Sequence, residues 1–343
     1  MSESGDVSPD DAEVRIAEII QFLRKNRRLS SIVKCFTLDA RSSDTLVRAS
    51  SSFLSELPFR ELTSFGIVMF PLGELKQPGL TYIEELLKLN NASLSSLAFE
   101  LTGIAHPVQT LFKSCTPTLR NLRHLYLHDI GIYSACPELP ETPAGELQQL
   151  DTLRIGGWYY ASSFLPDLFS NTHASLGLSS RLHTLQISTN LSLNPYCQLC
   201  FLCGESLRNL ELSIALTEVT ESHRVPFNML QNLESLHITF NERYSPNGLS
   251  LLLDIFSSRP ALKQLKLNCS HSAAQFVNRV RTILTAEVDD ALEAFILRSL
   301  KLENVILALP ENLYDQVSSW GNLVEMIPMA TRTGLMHLEH LSA

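Results

Sequence analysis

A triplet of apolar residues of the form LxxLxL returns at near-constant intervals along most of this chain. It reads Leu94-Leu97-Phe99, Leu122-Leu125-Leu127, Leu150-Leu153-Ile155, Leu182-Leu185-Ile187, Leu207-Leu210-Leu212, Leu233-Leu236-Ile238, Leu262-Leu265-Leu267 and Leu297-Leu300-Leu302. Weaker copies, Val33-Phe36-Leu38 and Leu62-Phe65-Ile67, precede these. The middle residues lie 25 to 35 positions apart, about 29 on average. A period of that length restricts the chain to stacked repeat units, each of which buries its apolar face only against its neighbours.

Within each triplet the apolar residues alternate with polar ones, the period of a short strand with one buried face. Between triplets the period changes to that of a helix. Ile16, Ile19, Ile20 and Leu23 fall at i, i+3, i+4 and i+7, as do Val108, Leu111, Phe112 and Cys115. The same spacing recurs at Tyr196, Leu199, Cys200 and Cys203, and at Leu249, Leu252, Leu253 and Phe256. Such stripes mark amphipathic helices with one core-facing side. A doubly wound nucleotide-binding sheet is the rival for alternating strands and helices, but none of the 14 glycines begins GxGxxG and no Gly-Lys dipeptide exists. The expectation is an α/β solenoid, a horseshoe of about ten strand-helix repeats with parallel strands on the concave face and helices on the convex face. Residues 1–12 read as a disordered tail, 13–310 as the solenoid with its N-terminal helical cap, and 311–343 as a C-terminal cap or tail. A Leu46 to Leu57 helix contributes to the first cap, and one long or two short helices fill Ala273 to about Ala294.

The triplets resemble leucine-rich repeats of the long, helix-backed kind. The run from Leu23 through Arg24, Lys25, Asn26, Arg27 and Arg28 to Phe36 and Leu38 is similar to the repeat region of fungal F-box/leucine-rich-repeat proteins, where a helix ending in a basic segment leads into the first strand. That resemblance implies substrate recognition for a cullin-type ubiquitin ligase. The asparagine that follows the strand in such repeats is present only at Asn190 and Asn241. Leu57-Pro58 has the opening of an F-box but leads into Phe65-Gly66-Ile67, a repeat strand, and Leu309-Pro310 is a weaker echo. With no recognisable F-box, and too few residues before Ala12 to hold one, binding to the ligase adaptor is not expected.

Composition excludes several function classes. A net charge of −9 lacks the electrostatic footprint of a nucleic-acid binder. No apolar run approaches the roughly 20 residues needed to span a bilayer. The polar N-terminus has no secretory signal, so the seven cysteines are expected to be reduced thiols in cytoplasm or nucleus. The basic cluster of Arg24, Lys25, Arg27 and Arg28 complements a helix C-terminus. No HExxH or GxSxG motif is present.

Cys197-x-x-Cys200-x-x-Cys203 has ligand-like spacing, with Cys269 and His271 as further donors, and keeps open a metal- or thiol-dependent enzyme. Against it, Cys200 and Cys203 fall on an apolar helix stripe, where cysteine packs as a small hydrophobe. No metal or cofactor is expected. His124 and His128 share one strand face without a third ligand, and Glu287, Asp289 and Asp290 read as a solvated helix face.

The repeat also displays a surface. The residue between each core pair reads Thr37, Gly66, Ala98, Tyr126, Arg154, Gln186, Glu211, His237, Lys266 and Lys301. A second row holds Asp39, Val68, Glu100, His128, Gly156, Ser188, Ser213, Thr239, Asn268 and Glu303. Mixed charge and many donors suit a protein partner better than nucleic acid or a membrane. The expected function is a noncatalytic interaction scaffold. Its candidate contacts are Tyr126, His128, Arg154, Trp158, Tyr159, Gln186, Glu211 and His237, since Tyr, Trp and Arg dominate interface energies. Tyr126 and Arg154 are expected side by side.

Overall fold

A computed structural model describes residues 9–39, 59–71, 77–102, 119–128, 149–157, 181–189, 193–240, 244–257, 259–276, 280–317 and 320–341. The chain forms two compact units, one built chiefly from Met1–Leu150 and the other chiefly from Asp151–Trp158 and Leu178–Ala343. The first holds the strands β1 (Cys35–Asp39), β2 (Ser64–Pro71), β3 (Ser96–Thr102) and β4 (His124–His128). The second holds β5 (Thr152–Gly156), β6 (Thr184–Thr189), β7 (Asn209–Ile214), β8 (Ser235–Phe240), β9 (Gln264–Cys269), β10 (Asn304–Leu309) and β11 (Met336–His340). In each unit the strand order is the chain order, and the pairings are parallel.

The triplets set the register. Leu185 pairs with Leu210, Leu210 with Leu236, and Leu236 with Leu265, so the core residues of successive repeats stack in columns. These leucines are fully buried, each contributing about 1.5–3 kcal/mol over exposure. In the first unit phenylalanines join the two columns: Phe36 stacks on Phe65 at 6.1 Å within one, and Phe65 meets Phe99 of the other edge-on at 6.5 Å.

The scarcity of turn asparagines is met by the main chain. The carbonyl just before β1, β2, β3, β5, β6, β7, β8 and β9 accepts two amides from the following repeat. Arg208 and Asn209 both donate to His183 at 2.9 Å, and Lys34, Thr63, Ser95, Asp151, Arg208, Glu234 and Lys263 accept in the same way. Asn190 and Asn241 lie outside the described residues. Asn90 does bridge repeats: its buried amide accepts from Leu62 N at 2.8 Å and donates to the carbonyls of Phe59 and Leu86 at 3.0 and 2.8 Å.

Helices fill the intervals. They include α1 (Pro9–Lys25), α2 (Arg27–Ser30), α3 (Gln77–Leu89), α4 (Asn194–Cys203), α5 (Arg224–Asn228) and α6 (Pro246–Phe256). The stripes expected on α4 and α6 are buried throughout. On α1 only part of the stripe is inside: Leu23 is buried, while Ile19 is exposed. The Val108 stripe and the Leu46 to Leu57 segment lie outside the described residues. Pro246 opens α6, and the Ser245 hydroxyl before it accepts from Gly248 N at 3.2 Å, an N-cap that defines where the helix starts.

Three expectations need correction. The segment after Cys269 divides into α7 (His271–Phe276), α8 (Val280–Ile283) and α9 (Ala286–Arg298), not one or two helices. The last triplet is Leu302-Val305-Leu307, all buried, in place of Leu297-Leu300-Leu302; Leu300 is 92% exposed. The α9 helix runs through Leu297 to Arg298, and the β-branched Val305-Ile306 pair is the better strand former. Ile306 and Ala308 therefore replace Lys301 and Glu303 in the two rows. Finally, Asp289 leaves the acidic cluster for the interior at 4% exposure, while Glu287 and Asp290 remain exposed. Its carboxylate accepts from Met329 N at 3.1 Å and Ala330 N at 2.9 Å, satisfying first-turn amides of α12 (Pro328–Thr331). Past residue 310, where the leucine pattern fades, the chain adds α10 (Glu311–Tyr314), α11 (Trp320–Met326), α12 and the eleventh strand, with Met336 and Leu338 in the core-pair register.

Candidate interaction face

Because side chains alternate along a strand, burying the core pair turns the residues between them to the other face of the sheet. In the second unit the register aligns Arg154, Gln186, Glu211, His237, Lys266, Ile306 and His337 in one row. Gly156, Ser188, Ser213, Thr239, Asn268, Ala308 and Glu339 form the second. A third row, not anticipated, comes from the strand starts: Thr152, Thr184, Asn209, Ser235, Gln264 and Asn304. Its signal was in the sequence, two residues before the first row, but the first residue of a strand is an unspecified position between the first two leucines of the motif and carries no leucine to mark it.

A polar chain crosses this face. Gln186 Nε2 donates to Glu211 Oε2 at 2.7 Å, and the other carboxylate oxygen lies 3.9 Å from His237 Nδ1. On the far side His237 Nε2 meets the Asn268 amide. Lys266 pairs with Glu339 at 2.6 Å, reaching past β10, whose Ile306 and Ala308 carry no charge. Arg154 is exposed on β5. Thus Gln186, Glu211 and His237 are held together, whereas Arg154 sits two strands from Glu211 along the row.

At the strand starts an unforeseen ladder of paired side chains follows. Asp151 contacts His183 at 2.7 Å, and Glu234 takes Arg208 at 2.5 Å and Lys263 at 2.6 Å. Hydrogen bonds from Lys263 and then Arg208 hold the Glu234 carboxyl below its ordinary range. Each pair is solvent-exposed and contributes little to stability; the ladder's effect is to fix the side chains that border the face.

The first unit presents different chemistry. Its rows run Cys35, Ser64, Ser96, His124; Thr37, Gly66, Ala98, Tyr126; and Asp39, Val68, Glu100, His128. The Tyr126 and His128 rings stack at 5.9 Å and 24°. Tyr126 belongs to the first unit and Arg154 to the second, so neither unit's own register carries the expected pairing of the two. Trp158 and Tyr159 lie outside the described residues.

The cysteine run is a core feature. Cys197, Cys200 and Cys203 are buried along α4, and the Cys203 thiol donates to the Leu199 carbonyl at 2.9 Å. Burial pushes Cys197 and Cys203 up to about 12 and raises Cys200 as well, with its two neighbours adding to the shift. All three are thiols at neutral pH, the form that is neither a nucleophile nor a ready metal ligand. Cys269 is likewise raised to about 12, and His271 is exposed. Among the described residues no group of three or more His, Cys, Asp or Glu is placed to hold a metal ion.

No protein-family model matches the sequence, and no curated protein is significantly similar to it. Among solved structures, the leucine-rich-repeat-containing protein LegL7 from Legionella pneumophila is similar, with a TM-score of 0.52 over 89% of this chain and 90% of that one. The fold is that of a leucine-rich-repeat protein. At 16% identity the likeness concerns the fold and leaves side-chain chemistry to be read from this chain. No described helix is long and apolar enough to cross a membrane.

Proposed function

We propose that this chain is a noncatalytic scaffold that binds a protein partner through the open face of its parallel sheet. The observation that carries the reading is the row Gln186–Glu211–His237, in which Gln186 hydrogen-bonds Glu211 and His237 lies 3.9 Å from the same carboxylate, bordered by an exposed Arg154 and a Lys266–Glu339 pair. Charges of both signs alternate across it, which suits the mixed surface of a protein and offers no continuous track to a polyanion. The leucine-rich-repeat fold supports the reading in general terms. Among the described residues, the buried, protonated cysteines and the scattered histidines assemble no acid–base or nucleophilic constellation.

The test is quantitative capture of partners from the source cell by the full chain and by Arg154→Ala and Glu211→Ala. Each variant should weaken capture by about 2 kcal/mol or more, while the melting temperature stays near that of the parent. Capture unchanged in both variants would overturn the proposal. The narrower role of ubiquitin-ligase receptor rests on the sequence resemblance alone. Residues 59–71 form a turn and β2, so binding of purified ligase adaptor is expected to be absent by calorimetry. Dissociation constants on the order of micromolar or tighter would reverse that expectation.

A further inference from the structure

The row Gln186–Glu211–His237 has hydrogen-bonding capacity that the protein itself does not use. Gln186 donates through Nε2 to Glu211 Oε2 at 2.7 Å, and among the described residues neither Gln186 Oε1 nor Glu211 Oε1 receives a hydrogen bond. His237 Nδ1 lies 3.9 Å from Glu211 Oε1, too far to bond it. The three residues are half-buried, and each of these three atoms remains open to solvent.

The hydrogen on the His237 ring can be placed. Its Nε2 meets the amide nitrogen of Asn268, a buried residue, and an amide nitrogen donates but has no lone pair to offer. Nε2 is therefore the acceptor and Nδ1 bears the hydrogen, the tautomer that the nearby Glu211 carboxylate also favours. Asn268 anchors the ring from the far side, with Nδ1–H toward the carboxylate. From β6 to β8 the row thus offers two acceptors and then a donor.

That pattern selects among the groups a protein can present. An ammonium or guanidinium only donates, and would bring a positive charge against the His237 N–H. A carboxylate or phosphate only accepts, and would face Glu211. A hydroxyl has one hydrogen for two acceptors, and a residue of extended main chain likewise has one N–H. A primary carboxamide has two N–H hydrogens and a carbonyl oxygen, which is the complement of the row. Its nitrogen and oxygen are about 2.2 Å apart, so bonds of about 2.9 Å to Glu211 Oε1 and His237 Nδ1 splay by only about 16° from parallel. The second N–H diverges by about 120° and serves an acceptor about 5 Å from the first, one strand spacing toward Gln186.

We infer that Gln186, Glu211 and His237 form a seat for a primary carboxamide, an asparagine or glutamine side chain of the protein partner. The NH2 group is shared between Gln186 Oε1 and Glu211 Oε1, and the carbonyl accepts from His237 Nδ1. The inference rests on the protein-binding reading above and names the partner's chemistry at that site.

The probe is a phage-displayed library of random dodecapeptides, panned against the full chain, from which the selected peptide is synthesised. The selected family should share one Asn or Gln position. Replacing that residue by the isosteric Asp or Glu should weaken binding by about ten-fold or more, since a carboxylate then faces Glu211. In Glu211→Gln, whose amide nitrogen can donate, the penalty should shrink by about five-fold or more, whereas Glu100→Gln on the first unit should leave it unchanged. Melting temperatures near the parent's establish that both variants remain folded. A library that yields no binder, a selected family without an Asn or Gln position, equal affinity for the carboxylate peptide, or a penalty unaltered in Glu211→Gln would overturn the inference. Peptides that lose affinity in Glu211→Ala yet show no carboxamide preference would sink this inference and leave the scaffold proposal standing. Partner capture unchanged in Arg154→Ala and Glu211→Ala would defeat the scaffold proposal instead.

Discussion

Asp289 is the residue whose environment departs furthest from its sequence context, and its removal offers a sharp test of the structure. Ile327 precedes α12 without a side-chain cap, and Pro328 at the first position has no amide to satisfy. The next two amides, from Met329 and Ala330, are met by the two oxygens of Asp289, some forty residues away in sequence. Ala330 is fully buried and Met329 is 36% exposed. In Asp289→Ala the Ala330 amide is left without a partner inside the protein, while water can reach the Met329 amide more readily. One buried unsatisfied donor, with the lost carboxylate–helix interaction, sets the cost at about 2–4 kcal/mol. Asp289→Asn keeps one acceptor and should cost about half as much. Asp290→Ala and Glu287→Ala, on the exposed face of the same helix, should stay within about 0.5 kcal/mol of the parent. Urea unfolding gives these differences, and amide exchange at Ala330 locates them. Equal midpoints for Asp289→Ala and Asp290→Ala would refute the cap.

Three further outcomes follow from the packing. Gly248→Ala should destabilise by about 1–3 kcal/mol or more, because the added methyl lies 2.0 Å from the Leu216 carbonyl oxygen; a melting temperature equal to the parent's would contradict that contact. Cys200→Ser should cost about 1–3 kcal/mol through a buried hydroxyl, with no metal lost by elemental analysis; one zinc or iron per chain, absent from the variant, would contradict the packing role. Burial lowers the His223 imidazole below its ordinary value, opposed by its Thr220 hydrogen bond, so the unfolded chain takes up the proton first. Stability from this group is complete above about pH 6.5 and declines as pH falls below it. His223→Asn, whose Oδ1 can still accept from Thr220 N, should flatten the decline between about pH 7 and 5; an unchanged slope would reject the assignment.

The strands were legible because a leucine at every third and fifth position has few uses other than a stacked column. Helices α4 and α6 were legible because their stripes are long enough to separate a period of 3.6 from one of 2. Val305 escaped because Leu297, Leu300 and Leu302 satisfy the same pattern a few residues earlier, and only the extent of α9 decides between them. The row Gln186–Glu211–His237 followed from parity alone. Its hydrogen bonds did not, and neither did the pairing of Lys266 with Glu339 across an intervening strand. Which side chains touch depends on the register between repeats, a relation among distant segments that local periodicity does not encode. Asp289 is the clearest case: three acids in four residues look like solvent, and the amides that claim one of them belong to a short helix after a proline.

The near-constant interval between paired strands bears on how the chain acquires its structure. Within each unit, closing any strand pair ties off a loop of similar length, so the entropic cost of successive steps is nearly level. Even the longest interval, from Leu265 to Val305, adds only about 0.3 kcal/mol over the average one. No single closure is then an outstanding barrier, and order can spread from whichever neighbouring pair forms first. The same evenness makes the structure tolerant of insertions between strands, since lengthening a connection changes a logarithm while the leucine columns remain in register. Surface loops in such a chain are free to vary in length, and the rows of the sheet hold their alignment as they do.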